Sequence, residues 1–184
     1  MNAAAKIAIP ALAVAALFLG GKKVVVTQII KQRAEKYIPA IEAASKQYDL
    51  PPGVLFKLLE TESSYLPEII NGTRKSSAGA LGIAQFMPDT AAWLTKLPKD
   101  QAIQYVLDPM KAIPLAARYL SMLRKGKGIT SWEQAVASYN AGQGNVNKAK
   151  KKAVVTGGSW KDYLPQETKN YVAKISQGVG VSLA

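Results

Sequence analysis

Apolar positions recur at helical spacing along most of the chain, and strict alternation of apolar and polar residues is rare. Residues 27–48 carry Ile29, Ile30, Ala34, Tyr37, Ile38, Ile41 and Ala44 on one stripe. They predict one helix, with Pro39 as the position that kinks or splits it. The run Asp49-Leu50-Pro51-Pro52 breaks the pattern, and Pro52 suits the first turn of the helix that follows. That helix has the stripe Leu55, Leu58, Leu59, Glu62, spaced i, i+3, i+4, i+7. Residues 71–82 are rich in Gly, Ser and Asn and read as a loop. Helical pattern resumes over residues 88–94. Asp108 and Pro109 form an N-cap with proline at the first helical position, and Ile113, Ala116, Ala117 and Leu120 follow as a stripe. Ser131 and Gln134 have capping-box spacing at the head of a helix with Trp132, Ala135, Val136 and Tyr139 on one face. Gly142 and Gly144 are expected to end it. Pro165 opens a last helix that runs to about residue 175. The prediction is a mainly α protein: a single domain over residues 31–184, preceded by an N-terminal hydrophobic segment over residues 1–30.

Glu62 is the informative exception in this pattern, because it closes an apolar stripe. A carboxyl group on that face is partly desolvated, which favours its protonated form, the state a general acid needs. Glu60, two residues earlier, points about the other way and reads as an ordinary solvated residue. A glutamate on an apolar face is more often a structural hydrogen-bonder than a catalyst, so the stripe alone does not settle its role.

Residues 7–21 are apolar and flanked by Lys6 and by Lys22 and Lys23, with no acidic residue before Glu35. The length fits the core of a signal peptide and is short for a span of about 20 residues. Snorkelling by Lys22 and Lys23, with Val24, Val25 and Val26 added, makes it long enough. Phe18, Leu19 and Gly20 crowd the place where a cleavage site wants small residues. The favoured reading is an uncleaved membrane anchor over residues 7–26. The alternatives are a cleaved signal and a hydrophobic tail inserted in a larger assembly such as a virus particle.

With 48% hydrophobic residues the chain has enough apolar side chains for one compact core. It contains no histidine and no cysteine. Ser-His-Asp and Cys-His nucleophile systems are therefore excluded, as are zinc sites built on His or Cys and disulfides. Acid–base chemistry is left to carboxylates, tyrosine, lysine and water, and no cofactor or metal is expected. The net charge of +12 favours polyanionic partners: nucleic acid, anionic lipid or a cell-wall polymer. No nucleic-acid-binding signature accompanies it, so no specific nucleic acid is expected. The run Lys148, Lys150, Lys151, Lys152 reads first as a solvated loop or helix face.

Four motifs then line up in order. They are Glu62-Ser63-Ser64-Tyr65-Leu66-Pro67, the stretch from Ser77 through Gly79, Gly82, Gln85 and Pro88 to Ala91, the stretch from Ala135 through Tyr139, Asn140 and Gly142 to Val146, and Glu167-Thr168-Lys169-Asn170-Tyr171-Val172. Together they resemble the catalytic domain of the soluble lytic transglycosylases, lysozyme-like enzymes that cleave peptidoglycan. The resemblance runs over residues 37–172. It implies that Glu62 is the single catalytic acid/base and that Tyr139 is the tyrosine beside it. It implies substrate contacts for Ser63, Gln85, Asn140, Glu167 and Tyr171, with Glu167 and Tyr171 in a motif that closes the site. Leu66 and Ala84 depart from the family pattern, where Asn and Met are common; the second bears on a subsite wall. Tyr139 also reads as core, and Glu167 with Tyr171 as a local pair that holds the last helix. Trp93, Trp132 and Trp160 read as core, with sugar stacking open to one of them.

Glycosidases usually use two carboxylates, and no obvious second one accompanies Glu62. The resemblance implies that the sugar supplies what is missing. Its N-acetyl group stabilises the developing cation, and its C6 hydroxyl attacks C1 to give a 1,6-anhydro ring on N-acetylmuramic acid. The expected partners are peptidoglycan glycan strands, the membrane through residues 7–26, and a secretion, pilus or phage assembly. The expected place is the cell envelope, at the periplasmic face of the inner membrane, with a virion component or an exported protein as alternatives. Rival readings are a goose-type-lysozyme-like hydrolase, a structural or glycan-binding protein of a virion or secretion machine, and a basic nucleic-acid binder.

Overall fold

The computed structural model describes residues 20–74, 76–179 and 182–183, with side chains from Thr27 onward. Among the described residues ten α-helices follow one another: α1 (Gly20–Ala34), α2 (Ile38–Gln47), α3 (Val54–Ser63), α4 (Pro67–Ile70), α5 (Pro88–Thr95), α6 (Lys99–Leu107), α7 (Pro109–Arg124), α8 (Trp132–Ala141), α9 (Gln143–Thr156) and α10 (Gln166–Val179). Among the described residues the only β pairing is an isolated antiparallel bridge between Leu81 and Phe86. The mainly α prediction holds. The expected anchor lies outside the described residues except for its end, where helix backbone begins at Gly20. Among the described residues no helix is long and apolar enough to cross a membrane.

The expected helix over 27–48 is two helices. A 3-10 turn, Glu35–Tyr37, separates α1 from α2, and Pro39 sits in the first turn of α2. Proline has no N–H to give to the carbonyl four residues back, so a fresh helix start is the easier solution. The start of α3 also differs from the expectation. Pro52 lies in the turn before it, and Gly53 is the N-cap with φ 77°. Asp108 caps α7 as expected, accepting from the backbone N–H of Met110 at 2.9 Å. Ser131 caps α8 by accepting from the Gln134 N–H at 3.2 Å. The Gln134 side chain returns to the Thr130 N–H at 2.9 Å, one residue earlier than a capping box requires. Gly142 ends α8 with φ 84°, but Gly144 lies inside α9. The lysine run is thus a helix face, with Lys148, Lys151 and Lys152 exposed. The last helix runs to Val179, four residues past the expected end.

The core is built around α7 and α8. Ala112, Ile113, Ala116, Ala117 and Leu120 on α7, and Ala135, Val136 and Ala137 on α8, are fully buried. Alanines let the two helices approach closely. Every residue of α8 from Gln134 to Ala141 is buried, so this helix is wrapped on all sides by its neighbours. It packs on α7, α9 and α10, and α10 in turn packs on α3. Leu55, Leu58 and Leu59 of α3 are fully buried. Each contributes about 1.5–3 kcal/mol by leaving water, which fixes the face of α3 that turns into the core. That face carries Glu62.

Candidate active site

Glu62 sits in the last turn of α3, half-buried, one step beyond the leucine stripe. The backbone around it is fixed by an abrupt helix end. Ser64 and Tyr65 both take the left-handed conformation, with φ 50° and 52°. Two such non-glycine residues in a row cost on the order of 1–3 kcal/mol each and persist only where contacts hold them. Those contacts are present. The Ser64 N–H donates to the Glu60 carbonyl at 2.9 Å. Tyr65 is 1% exposed, its hydroxyl donates to the Phe56 carbonyl at 2.9 Å, and its ring stacks on Tyr37 with centroids 6.2 Å apart. Ser63 belongs to the same lock. Its buried hydroxyl donates to the Leu59 carbonyl at 3.0 Å and accepts from the Tyr65 N–H at 3.2 Å. Ser63 therefore ends the helix and does not face the cleft as a substrate contact would.

Tyr171 on α10 completes the acid's surroundings. Its hydroxyl donates to Glu62 Oε1 at 2.7 Å, across 109 residues of sequence. Burial pushes the Tyr171 phenol well above the ordinary value of 10.0, and the Glu62 charge, the neighbouring Tyr139 and the hydrogen bond to Glu62 add to the effect. Tyr171 is thus held as a proton-bearing donor. α10 is itself tied to α8 by a buried bond from the Thr168 hydroxyl to Asn140 Oδ1 at 2.8 Å. Asn140, expected as a substrate contact, anchors the helix that carries Tyr171. Tyr139, one residue earlier on α8, is 2% exposed and donates to the Ala84 carbonyl at 2.9 Å. Burial raises its phenol well above the ordinary value too, helped by the charge of Glu62 and by Tyr119.

The Ala84 carbonyl belongs to the tight turn between Leu81 and Phe86. The two residues exchange backbone bonds, Leu81 N–H to Phe86 O at 2.9 Å and Phe86 N–H to Leu81 O at 3.0 Å. Gly82 is required here: its φ is 72°, and a Cβ would lie 2.1 Å from the Val106 carbonyl oxygen. Gln85 is also left-handed, with φ 48°, and its buried amide donates to the Gly82 carbonyl at 2.8 Å. Gln85 shapes the turn that receives Tyr139.

Glu60 differs from the expected solvated residue. Its side chain is only 13% exposed and pairs with Lys57 at 2.7 Å. The reason is α10, which packs along α3 and brings Gly178 against the Lys57 side chain. Lys174, one turn beyond Tyr171, completes this charged edge. Burial lowers its ammonium and Lys57 pushes the same way, against the opposing pull of Glu60 and Glu62. Glu167 is exposed on the first turn of α10. The structure thus brings together Glu62, Tyr139 and Tyr171, supports them through Asn140, Gln85 and Ser63, and leaves Glu167 exposed on the first turn of α10. Thr168 was not singled out in the sequence, although it lies inside the fourth motif. Among the described residues no cluster of three or more Asp, Glu, His or Cys residues could hold a metal ion.

The chain is similar to the membrane-bound lytic murein transglycosylase C of Actinobacillus succinogenes, with 34% identity over 124 residues, covering 62% of this chain and 33% of that protein. The protein of the same name from Histophilus somni strain 2336 is 32% identical over 124 residues, with the same coverage. The one from Haemophilus ducreyi is 28% identical over 129 residues, covering 65% of this chain and 34% of that protein. The chain spans about a third of the length of these relatives. The family model described as the Transglycosylase SLT domain matches residues 39–158, from the first turn of α2 through α9. The match includes Glu62, Gln85, Tyr139 and Asn140 and covers more than half of the chain, which therefore belongs to the transglycosylase SLT domain family.

Proposed function

We propose that this protein is a peptidoglycan lytic transglycosylase that cuts the β-1,4 bond between N-acetylmuramic acid and N-acetylglucosamine without water. The observation that carries the reading is the half-buried carboxyl group of Glu62, bound at 2.7 Å by the buried phenol of Tyr171. A two-carboxylate glycosidase needs a partner facing the acid across the scissile bond. Glu60, the nearest in sequence, is engaged by Lys57, and Glu167 is exposed on the first turn of α10. The relatives named lytic murein transglycosylases support the same substrate class.

In this reading Glu62 gives its proton to the glycosidic oxygen, and the bond from that oxygen to C1 of the muramyl sugar breaks. The N-acetyl carbonyl of the same sugar stabilises the positive charge at C1. Glu62, now a carboxylate, takes the proton of the C6 hydroxyl as that oxygen bonds to C1. The acid is regenerated, and the product carries a 1,6-anhydro ring. Tyr171 serves both halves of the cycle by holding Oε1 in place, which leaves Oε2 for proton transfer. Tyr139 fixes the turn at Ala84 and closes the apolar side of the site. Ser63, Gln85 and Asn140 act by positioning, and Glu167 by contact with substrate at the rim. Residues 31–184 form the catalytic domain, and residues 7–26 hold it to the membrane in the cell envelope. A net charge of +12 suits a wall polymer that carries lactyl and peptide carboxylates. Local opening of the wall for a secretion, pilus or phage assembly is the role this reading favours.

The test is digestion of purified peptidoglycan by the full chain in detergent, with the muropeptides weighed. Products one water lighter than those of a hydrolase, absent with Glu62→Gln, are expected. Reducing-end products would mean hydrolysis, and no products would move the protein to a structural or binding role.

A further inference from the structure

A line of aromatic rings leads from the acid out to solvent. Tyr139 meets Tyr119 with ring centroids 5.3 Å apart, and Tyr119 meets the edge of Trp93 at 6.2 Å. Phe86 packs against both tyrosines, at 6.1 Å from Tyr139 and 6.3 Å from Tyr119. Burial falls along this line. Tyr139 is buried, Tyr119 half-buried, and Trp93 is 51% exposed. The other two tryptophans, Trp132 and Trp160, pack against the core and are accounted for by it. Trp93 is not needed to seat its helix, because α5 is anchored by Ala91 and Leu94, both buried. Lys96 ends α5 in the left-handed conformation, with φ 62°, and sets its ammonium over the Trp93 ring at 5.6 Å from the centroid.

The exposed part of the Trp93 indole can take a flat apolar ligand surface. The candidate occupant follows from continuity: Tyr119, under Trp93, packs on Tyr139, the ring that neighbours Glu62. A pyranose ring presents flat C–H faces that stack on indole, and its N-acetyl group adds apolar area. We propose that Trp93 is a sugar-stacking platform, a binding position for an N-acetylated sugar of the same glycan strand, remote from the bond that is cut. This rests on the reading of Glu62 as a glycan-cleaving acid, but its test reads binding separately from cleavage.

Chitohexaose and chitobiose are titrated into the full-length Glu62→Gln protein while tryptophan emission is followed, and the series is repeated with Trp93→Phe added. Chitohexaose is expected to shift the emission, and chitobiose is not, because it is too short to fill the site and reach Trp93. The Trp93→Phe protein is expected to lose the shift and to bind chitohexaose a few fold more weakly, because phenylalanine keeps only a smaller stacking face. With Glu62 intact, Trp93→Phe is expected to raise KM on peptidoglycan by a similar factor and leave kcat unchanged, the mark of uniform binding. An emission shift that persists without Trp93, unchanged affinity in the variant, or no binding of chitohexaose would each overturn the proposal. If the Trp93-dependent shift is found but the wild-type protein releases no anhydro product, the platform stands and the transglycosylase reading falls.

Discussion

Glu60 and Glu62 share the last turns of α3, and their neighbours differ in kind. Glu60 takes the ammonium of Lys57 at 2.7 Å, and Glu62 takes the phenol of Tyr171 at the same distance. An ammonium brings a full positive charge that neutralises a carboxylate in place. A phenol whose proton is held by burial brings a hydrogen bond and no charge, so it orients the carboxyl group without neutralising it. Two positions of sequence, about half a helical turn, separate a structural ion pair from a candidate acid.

The sharpest test of this contrast is substitution of the two glutamates in turn. Glu62→Gln keeps the shape and a hydrogen-bond acceptor for Tyr171 but cannot release a proton. Activity on peptidoglycan is expected to fall by about 10²–10⁴-fold, the usual scale for a general acid, while the melting temperature holds. A fall of only a few fold would mean that another group carries the chemistry.

The support behind Glu62 comes next in size. Thr168→Val removes the donor to Asn140 Oδ1 inside the α8–α10 contact and leaves a buried acceptor unpaired. Such a loss costs about 1–3 kcal/mol, read as a lower midpoint in urea. Because Tyr171 lies one turn further along α10, kcat is expected to drop as well. A stability loss with kcat unchanged would separate the helix anchor from the acid.

Tyr171→Phe removes the phenol and leaves the ring that packs the interface. A loss of roughly 10–100-fold in kcat is expected, smaller than the loss of the acid because Tyr171 orients the proton donor without being it. The same variant carries a pH signature. Tyr139 and Tyr171 hold their protons harder in the folded protein than in the unfolded chain. Their contribution to stability is complete below the unfolded value of 10.0 and is lost as pH rises past it toward their raised folded values. Denaturant midpoints above pH 10 should therefore fall less steeply in Tyr171→Phe than in the wild type. Tyr65, also raised, and Lys174, lowered and so opposite in sign, act alike in both proteins and cancel from the difference.

What the sequence made legible follows the reach of each signal. The leucine stripe that carries Glu62, the Asp108 cap and the Ser131 cap all depend on neighbours within one or two turns, and all are found. The split of the first helix needed a choice between a kink and a restart at Pro39, which local pattern cannot make. α6 went unread because only Ala102 and Val106 are buried in it, too few for a stripe. Ser63 was expected in the cleft because motif order assigns a role without an orientation, and the left-handed residues at 64 and 65 turn it inward. The direct bond from Tyr171 to Glu62 joins residues 109 apart, and only the packing of α10 on α3 brings them within reach. The pairing of Glu60 is hidden for the same reason, since α10 covers what the helical wheel leaves open to water.

Glu60→Gln is the smallest expected effect and the one that isolates the contrast. The Lys57 side chain is 30% exposed, so the pair is partly screened and worth at most about 1 kcal/mol. Removing the charge of Glu60 also takes one anion from the surroundings of Lys174, whose nearest charged neighbours are then Lys57 and Glu62. If the two glutamates are as separate as their partners suggest, peptidoglycan cleavage should stay within about twofold of wild type, with the pH profile of kcat in place. A shifted profile with the fold intact would show that Glu60, Lys57 and Lys174 set the field in which Glu62 exchanges its proton. The ion pair on the edge of α3 that α10 covers would then be part of the acid's electrostatics, and the line drawn between the two carboxylates would have to be redrawn around all four charges.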